Sequence, residues 1–203
     1  GETPIGLLVV SHVLNELTPA SLTDLRRLAA RATAVLWVEP GTHAVSRQLG
    51  AIRDELRDRF TVIAPCTHAG ACPALAPGRE REWCHQFAAP PSEIFANPDW
   101  VKFGQRAGID LRSLPYSFLA LDRTAPPTAP GWSHIIGRPE HFKPYARFLN
   151  CDADGLTELT LPKRADPPLF KELDRTKAPL VYRWTREGDK VSGGVHLGSA
   201  PTW

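Results

Sequence analysis

Cys66, Cys72, Cys84 and Cys151 are the four cysteines of the chain, and three of them share one stretch, Cys66-Thr-His-Ala-Gly-Ala-Cys72 through Trp83-Cys84-His85. Thiolates are strong, soft metal ligands, so four with none left over point to one shared task. Two disulfides would need an oxidising compartment, and the opening residues do not read as an export signal. A four-thiolate metal site is the better account, because a metal can clamp three loop ligands to one remote strand. Five residues separate Cys66 from Cys72 and eleven separate Cys72 from Cys84, with a long gap to Cys151. Structural zinc sites draw ligands in pairs about two to four residues apart. The irregular three-plus-one spacing suits an iron–sulfur cluster better, with zinc as the alternative. Four unrelated cysteines, some buried as small apolar side chains, is the bland reading.

These ligands need elements to hold them. Phe60-Thr-Val-Ile-Ala-Pro65 is an apolar run that reads as a buried strand ending at the first cysteine. Upstream, Ile5–Val10 and Thr33–Val38 are similar runs. Between them Thr18-Pro19 can open a helix, and Leu22, Leu25, Leu28 and Ala29 recur at helical spacing. Glu39-Pro40-Gly41 reads as a turn before a second helix, from His43 to Arg59. The chain thus opens as repeated βαβ units, which predicts a largely parallel α/β sheet. Ligands bind such sheets beyond the carboxyl ends of the strands, here Ser11–Glu16, Glu39–Gly41 and Cys66–Cys72.

A short helix is expected near Trp100–Ala107 and a further strand at Pro115–Leu121. Thr124 to Gly131, rich in Pro, reads as a linker between residues 1–123 and a small β-rich extension at 132–203. The extension shows strand-like runs at Trp132–Ile136, Tyr145–Cys151 and Leu156–Leu161. It also shows a hairpin turn at Asp152–Gly155, a short helix at Leu169–Arg175 and a final strand at Leu180–Trp184. The tail after Gly193 is expected to fray.

Within the extension, Arg138, Lys143, Arg147, Lys163, Arg164, Lys177, Arg183 and Arg186 alternate with Trp132, Phe142, Tyr145, Phe148, Tyr182 and Trp184. Basic residues among aromatics are compatible with RNA binding, although solvated strand faces over an aromatic core give the same pattern. With a net charge of +2 over 203 residues, the chain is no polycation drawn to nucleic acid by charge alone. No apolar run reaches the ~20 residues that cross a bilayer, so no membrane partner is expected. The chain contains no methionine, which suggests processing or a fragment of something longer.

Three segments together resemble the small-ribosomal-subunit methyltransferase-like family of mitochondrial ribosome assembly factors and their bacterial relatives. They are Val10-Ser-His-Val-Leu-Asn-Glu-Leu17, Leu36-Trp-Val-Glu-Pro-Gly41, and Ala64-Pro-Cys-Thr-His68 through Cys72-Pro73 to Trp83-Cys84-His85. The resemblance implies part of a class I methyltransferase (Rossmann-like) sheet with a C-terminal β extension, the Pro115–Leu121 run being its antiparallel last strand. It implies a 4Fe-4S cluster on Cys66, Cys72, Cys84 and Cys151. It also implies an S-adenosylmethionine pocket, of which Ser11, His12, Asn15, Glu16 and Glu39 would form the far wall. The family's glycine-rich cofactor loop would lie upstream of residue 1, so a missing N-terminal part or partner chain would complete that pocket.

Small-subunit rRNA or a pre-ribosome would be the partner, in the cytoplasm of a bacterium or the mitochondrial matrix of a eukaryote. Three functions compete: an RNA-binding assembly factor clipped by the cluster, an active S-adenosylmethionine-dependent rRNA methyltransferase, and a zinc-stapled interaction module. No catalytic residue is identifiable, and Ser-His-Val-Leu-Asn-Glu is not the Asn-Pro-Pro-Tyr type known from amino methylation, which favours the first.

Overall fold

The computed structural model describes residues 3–175 and 180–199, and Lys177 lies outside them. The first half builds a mixed sheet from β1 (Ile5–Ser11), β2 (Ala32–Pro40), β3 (Thr61–Ala64), β4 (Gln86–Phe87) and β5 (Pro115–Asp122). The main order is β1-β2-β5-β3, with β4 pairing the start of β5. β1 and β2 pair in parallel, but β5 inserts antiparallel between β2 and β3. The sheet is therefore less parallel than a chain of βαβ units predicts, because β3 never pairs with β2.

Helices α1 (Pro19–Ala29) and α2 (His43–Leu56) cover one face. Thr18 caps α1, its hydroxyl accepting the Ser21 N–H at 3.2 Å, a contact of about 1 kcal/mol. The apolar stripe of α2, Leu49, Ile52 and Leu56, is buried with Val35, Trp37, Leu119 and Leu121. The alternate residues point the other way: Leu7 and Val9 are each 59% exposed and Ile63 is 44% exposed. Two helices, α3 (Glu93–Ala96) and α4 (Pro98–Ala107), lead into β5. No helix among the described residues is long and apolar enough to cross a membrane.

The second half is a closed barrel rather than a flat sheet. Its strands are β6 (Ser133–His141), β7 (Tyr145–Asp152), β8 (Gly155–Pro162), β9 (Val181–Glu187) and β10 (Lys190–His196), in the order β10-β8-β7-β6-β9. Helix α5 (Pro167–Arg175) connects β8 to β9. Five strands in this Greek-key order, with a helix between the third and fourth, is the connectivity of an OB-fold. β9 is not the final strand, and residues 193–196 are not a frayed tail, because β10 closes the barrel. Its glycines hide it from a periodicity reading. Gly194 lies where a Cβ would come within 2.6 Å of the Trp184 ring on β9. Phe148 and Tyr182 belong to the barrel core with Ile135, Leu159 and Leu161, so those two aromatics serve packing.

Candidate metal centre

Helix α2 shapes the cysteine loop. From it Arg53, only 2% exposed, donates to the carbonyls of His68 at 2.9 Å and Gly70, and ion-pairs with Asp54 at 2.6 Å. Asp54 in turn accepts the Cys72 N–H at 3.0 Å. One turn and a half earlier Arg47 donates to the carbonyls of Ala74, Arg79 and Glu82. A loop of Pro, Gly and Ala has few side chains with which to order itself, so these guanidiniums replace a core. Reading Arg47 and Arg53 as the polar side of an amphipathic helix hides this role; the available signal is an arginine six residues from another on a helix facing a loop poor in donors.

The loop then meets the barrel. Cys151 on β7, itself 4% exposed, is buried with Ala74, Ile136 and Leu156, and Cys72 and Cys84 pack against that group. Cys84 Sγ lies 3.5 Å from His134 Nε2 on β6 and receives the Gln86 side-chain amide at 3.5 Å. Cys151 Sγ lies 3.9 Å from His68 Nε2. Around this point the Gly137 N–H donates to the His85 carbonyl at 2.8 Å and Arg79 donates to the Leu156 carbonyl at 3.0 Å. A stack of rings, Trp83 on His85 at 4.9 Å with Phe87 beyond, runs along the same seam to Arg138, whose guanidinium sits 3.9 Å over Phe87.

All four cysteines are free thiols. Burial pushes Cys66 up to about 11 and Cys84 up to about 12, with the nearby Cys72 and Cys66 adding to the two shifts. Burial also raises Cys72 and Cys151, and Cys151 feels Cys66, Cys84 and Cys72 in turn. Each ionised thiol would oppose the next, so the set suits a cationic group that replaces their protons. Arg53 contributes fixed positive charge, since it lowers the Cys66 thiol directly. Among the described residues, no three Cys, His, Asp or Glu side chains stand at the spacing of one metal ion. Thr67 Oγ1, Gln86 Oε1, and the Nδ1 atoms of His68 and His134 are buried around the thiols without hydrogen-bond partners. Four thiols are by type a soft donor set, and these unpaired polar atoms lie among the residues of the same seam.

Comparison with known families decides the kinship. Residues 3–178 match the family described as mitochondrial small ribosomal subunit Rsm22. The chain belongs to the Rsm22 family. The matched span takes in the sheet, all four cysteines and the barrel through α5. Comparison with curated proteins gives no match.

In this Rsm22 family member the other candidate residues lie away from the cysteines. Ser11 and His12 are exposed, joined by a 2.7 Å hydrogen bond, and His12 has φ 55°. Asn15 and Glu16 are exposed in the following turn. Glu39 is fully buried behind that turn, accepting from the Trp37 indole at 2.7 Å and from the backbone of Val13 and Leu14. It positions the Ser11–Glu16 segment from within the core. A shallow hollow of about 590 Å³ between β1 and α1 includes Ser11 in its lining.

Proposed function

We propose that the chain is an RNA-binding factor of the small ribosomal subunit in which Cys66, Cys72, Cys84 and Cys151 hold a 4Fe-4S cluster that clips the barrel to the sheet. The observation that supports the reading is that Cys72 and Cys84 of the loop pack with Cys151 of the barrel, with Cys66 close enough to raise the Cys151 thiol. The family description names the mitochondrial small ribosomal subunit. In a eukaryote that goes with the mitochondrial matrix, and in a bacterium the same role would be cytoplasmic.

Several features support the parts of this proposal. A tetrahedral zinc ion would draw its thiolates to about 3.8 Å of one another, given Zn–S bonds near 2.3 Å. Zinc ligands also come in pairs about two to four residues apart, so the gaps of five and eleven residues between Cys66, Cys72 and Cys84 suit a polynuclear iron–sulfur group better. The order β1-β2-β5-β3 with β5 reversed suits the second half of a class I methyltransferase sheet. The OB-type barrel is an architecture that often receives oligonucleotides, a fold-level analogy. Binding is favoured over methyl transfer because Glu39 already commits its carboxylate to Trp37, Val13 and Leu14.

The cluster, when bound, supplies four iron–thiolate bonds that cross the seam. The chain's own residues do the rest. Arg53 and Asp54 preset the Cys66–Cys72 segment, Arg47 presets the segment that leads to Cys84, and Gln86 and His134 flank the Cys84 sulfur. A joint fixed in advance spares the cost of ordering two bodies at each RNA encounter. The test is binding of a small-subunit rRNA fragment by wild type and Cys151→Ser with matched circular dichroism. The proposal expects affinity to fall on the order of tenfold. Equal affinity with the cluster lost would remove the clip from RNA recognition.

A further inference from the structure

A cavity of about 990 Å³ opens between the exposed sheet face and the β6 side of the barrel. Its floor includes Cys66 and Thr67, so it adjoins the cysteine seam. Three properties of its walls point to one kind of ligand.

Flat apolar surfaces come first. Tyr116 and Phe118 are stacked at 5.8 Å on the sheet side, and Phe87 at the seam and Trp132 on the barrel side each carry a guanidinium on one face, Arg138 at 3.9 Å and Arg183 at 4.7 Å. Polar edges without partners come second. Thr67 Oγ1, Gln86 Oε1, His134 Nδ1 and both ring nitrogens of His141 are unpaired and closed off behind the surface of residues that line this cavity. His134 is 3% exposed and Thr67 is 8% exposed, so these are built into the wall rather than left on a surface. Unpaired buried donors and acceptors are costly unless a ligand or water completes them. Positive charge comes third. Arg138 sits at the wall over Phe87 and donates to the neutral Ser113 hydroxyl at 3.1 Å, while its charge also acts on the Asp110 carboxylate. Arg112 is already paired with Asp110 at 2.9 Å.

The barrel face that OB-folds ordinarily offer, on the second and third strands, is engaged elsewhere. Cys151 and Leu156 of β7 and β8 pack into the seam, and Arg147 of β7 pairs with Glu140 and lies 3.8 Å from Glu158. The cleft on the β6 side is an open surface that combines rings with a cation.

We infer that this cleft receives an unpaired nucleotide of an RNA strand, its base against the rings of Phe87, Phe118 and Trp132 and its phosphate at Arg138. The inference rests on the RNA-binding reading above and assigns it a place. Bases stack on aromatic side chains irrespective of sequence, and a guanidinium pairs with the phosphate.

The test uses the full chain with its metal and a mixed-sequence single-stranded RNA of about twelve nucleotides carrying 5-iodouridine. Arg138→Gln and Trp132→Ala should each weaken binding about tenfold, whereas Arg186→Gln, away from the cleft, should change it less than about twofold. Photocrosslinks on the wild-type protein should map to Phe87, Tyr116, Phe118 or Trp132, a readout that needs no variant to fold. RNA bound with wild-type affinity by both cleft variants, or crosslinked only outside the cleft, would overturn this inference and leave RNA binding itself standing. No RNA bound by the wild type would overturn both.

Discussion

The sulfur of Cys151 lies 3.9 Å from Nε2 of His68, although they stand 83 positions apart in the chain. His68 belongs to the loop that leaves β3 of the sheet, and Cys151 to β7 of the barrel. Their contact brings the two halves together at the cysteines, and the seam around it is apolar, with Ala74, Ile136 and Leu156 buried there. Cys72, Cys84 and Cys151 thus lie where the sheet and the barrel pack together, beside the cleft whose lining includes Cys66.

Removing the barrel's ligand should loosen that joint without unfolding either half. Cys151→Ser should leave circular dichroism unchanged and speed proteolytic cleavage between residues 123 and 132 several-fold, on the order of the change expected when a docked linker is freed. Unchanged cleavage rates would show that the other seam contacts suffice.

Arg53 should tune the centre as well as shape it. Its buried charge favours the more negative, reduced state of any cluster beside Cys66. Arg53→Gln should therefore move the reduction midpoint downward, by roughly tens of millivolts, measured by an electron paramagnetic resonance redox titration. An upward shift, or none in a fully loaded variant, would contradict the placement of that charge.

Glu39 should matter to stability. Glu39→Leu strands the Trp37 indole N–H and the Val13 and Leu14 amides in the core. The expected loss is about 1–3 kcal/mol for the first orphaned donor, with more where the loop cannot relax. Urea denaturation of both forms measures it, and a neutral result would mean that water reaches these groups.

Much of this fold is legible in the chain because its signals are local. The apolar runs at Ile5–Val10 and Thr33–Val38 become β1 and β2, and the Asp152–Gly155 turn joins β7 to β8 with Gly155 at φ 123°. The reversal of β5 between β2 and β3 matches what the family resemblance implies for Pro115–Leu121, but strand composition alone does not show it, since a strand's sequence says which face is apolar and not which neighbour it takes. β10 escapes notice because Gly193 and Gly194 break its alternation, and Gly194 is there to admit the Trp184 ring. The cysteines announce themselves by number and type, whereas Arg47 and Arg53 look like ordinary solvent-facing arginines until the loop they hold is seen.

Gly137 offers a further check on the seam. Its φ is +70°, and a Cβ there would stand 2.9 Å from His85 Nε2. Gly137→Ala should cost about 1–2 kcal/mol from the backbone alone and displace the His85 ring from its stack on Trp83. Thermal unfolding and the tryptophan emission of the variant would register both effects, and a wild-type melting curve would argue against this close approach.

The central claim is that the four cysteines hold one iron–sulfur cluster, and metal analysis of anaerobically purified protein with its Mössbauer spectrum tests it most directly. The account predicts a brown protein with about four irons and four acid-labile sulfides per chain and a 4Fe-4S quadrupole doublet, all lost together in Cys66→Ser. A colourless protein carrying one zinc per chain, or no metal at all, would contradict it.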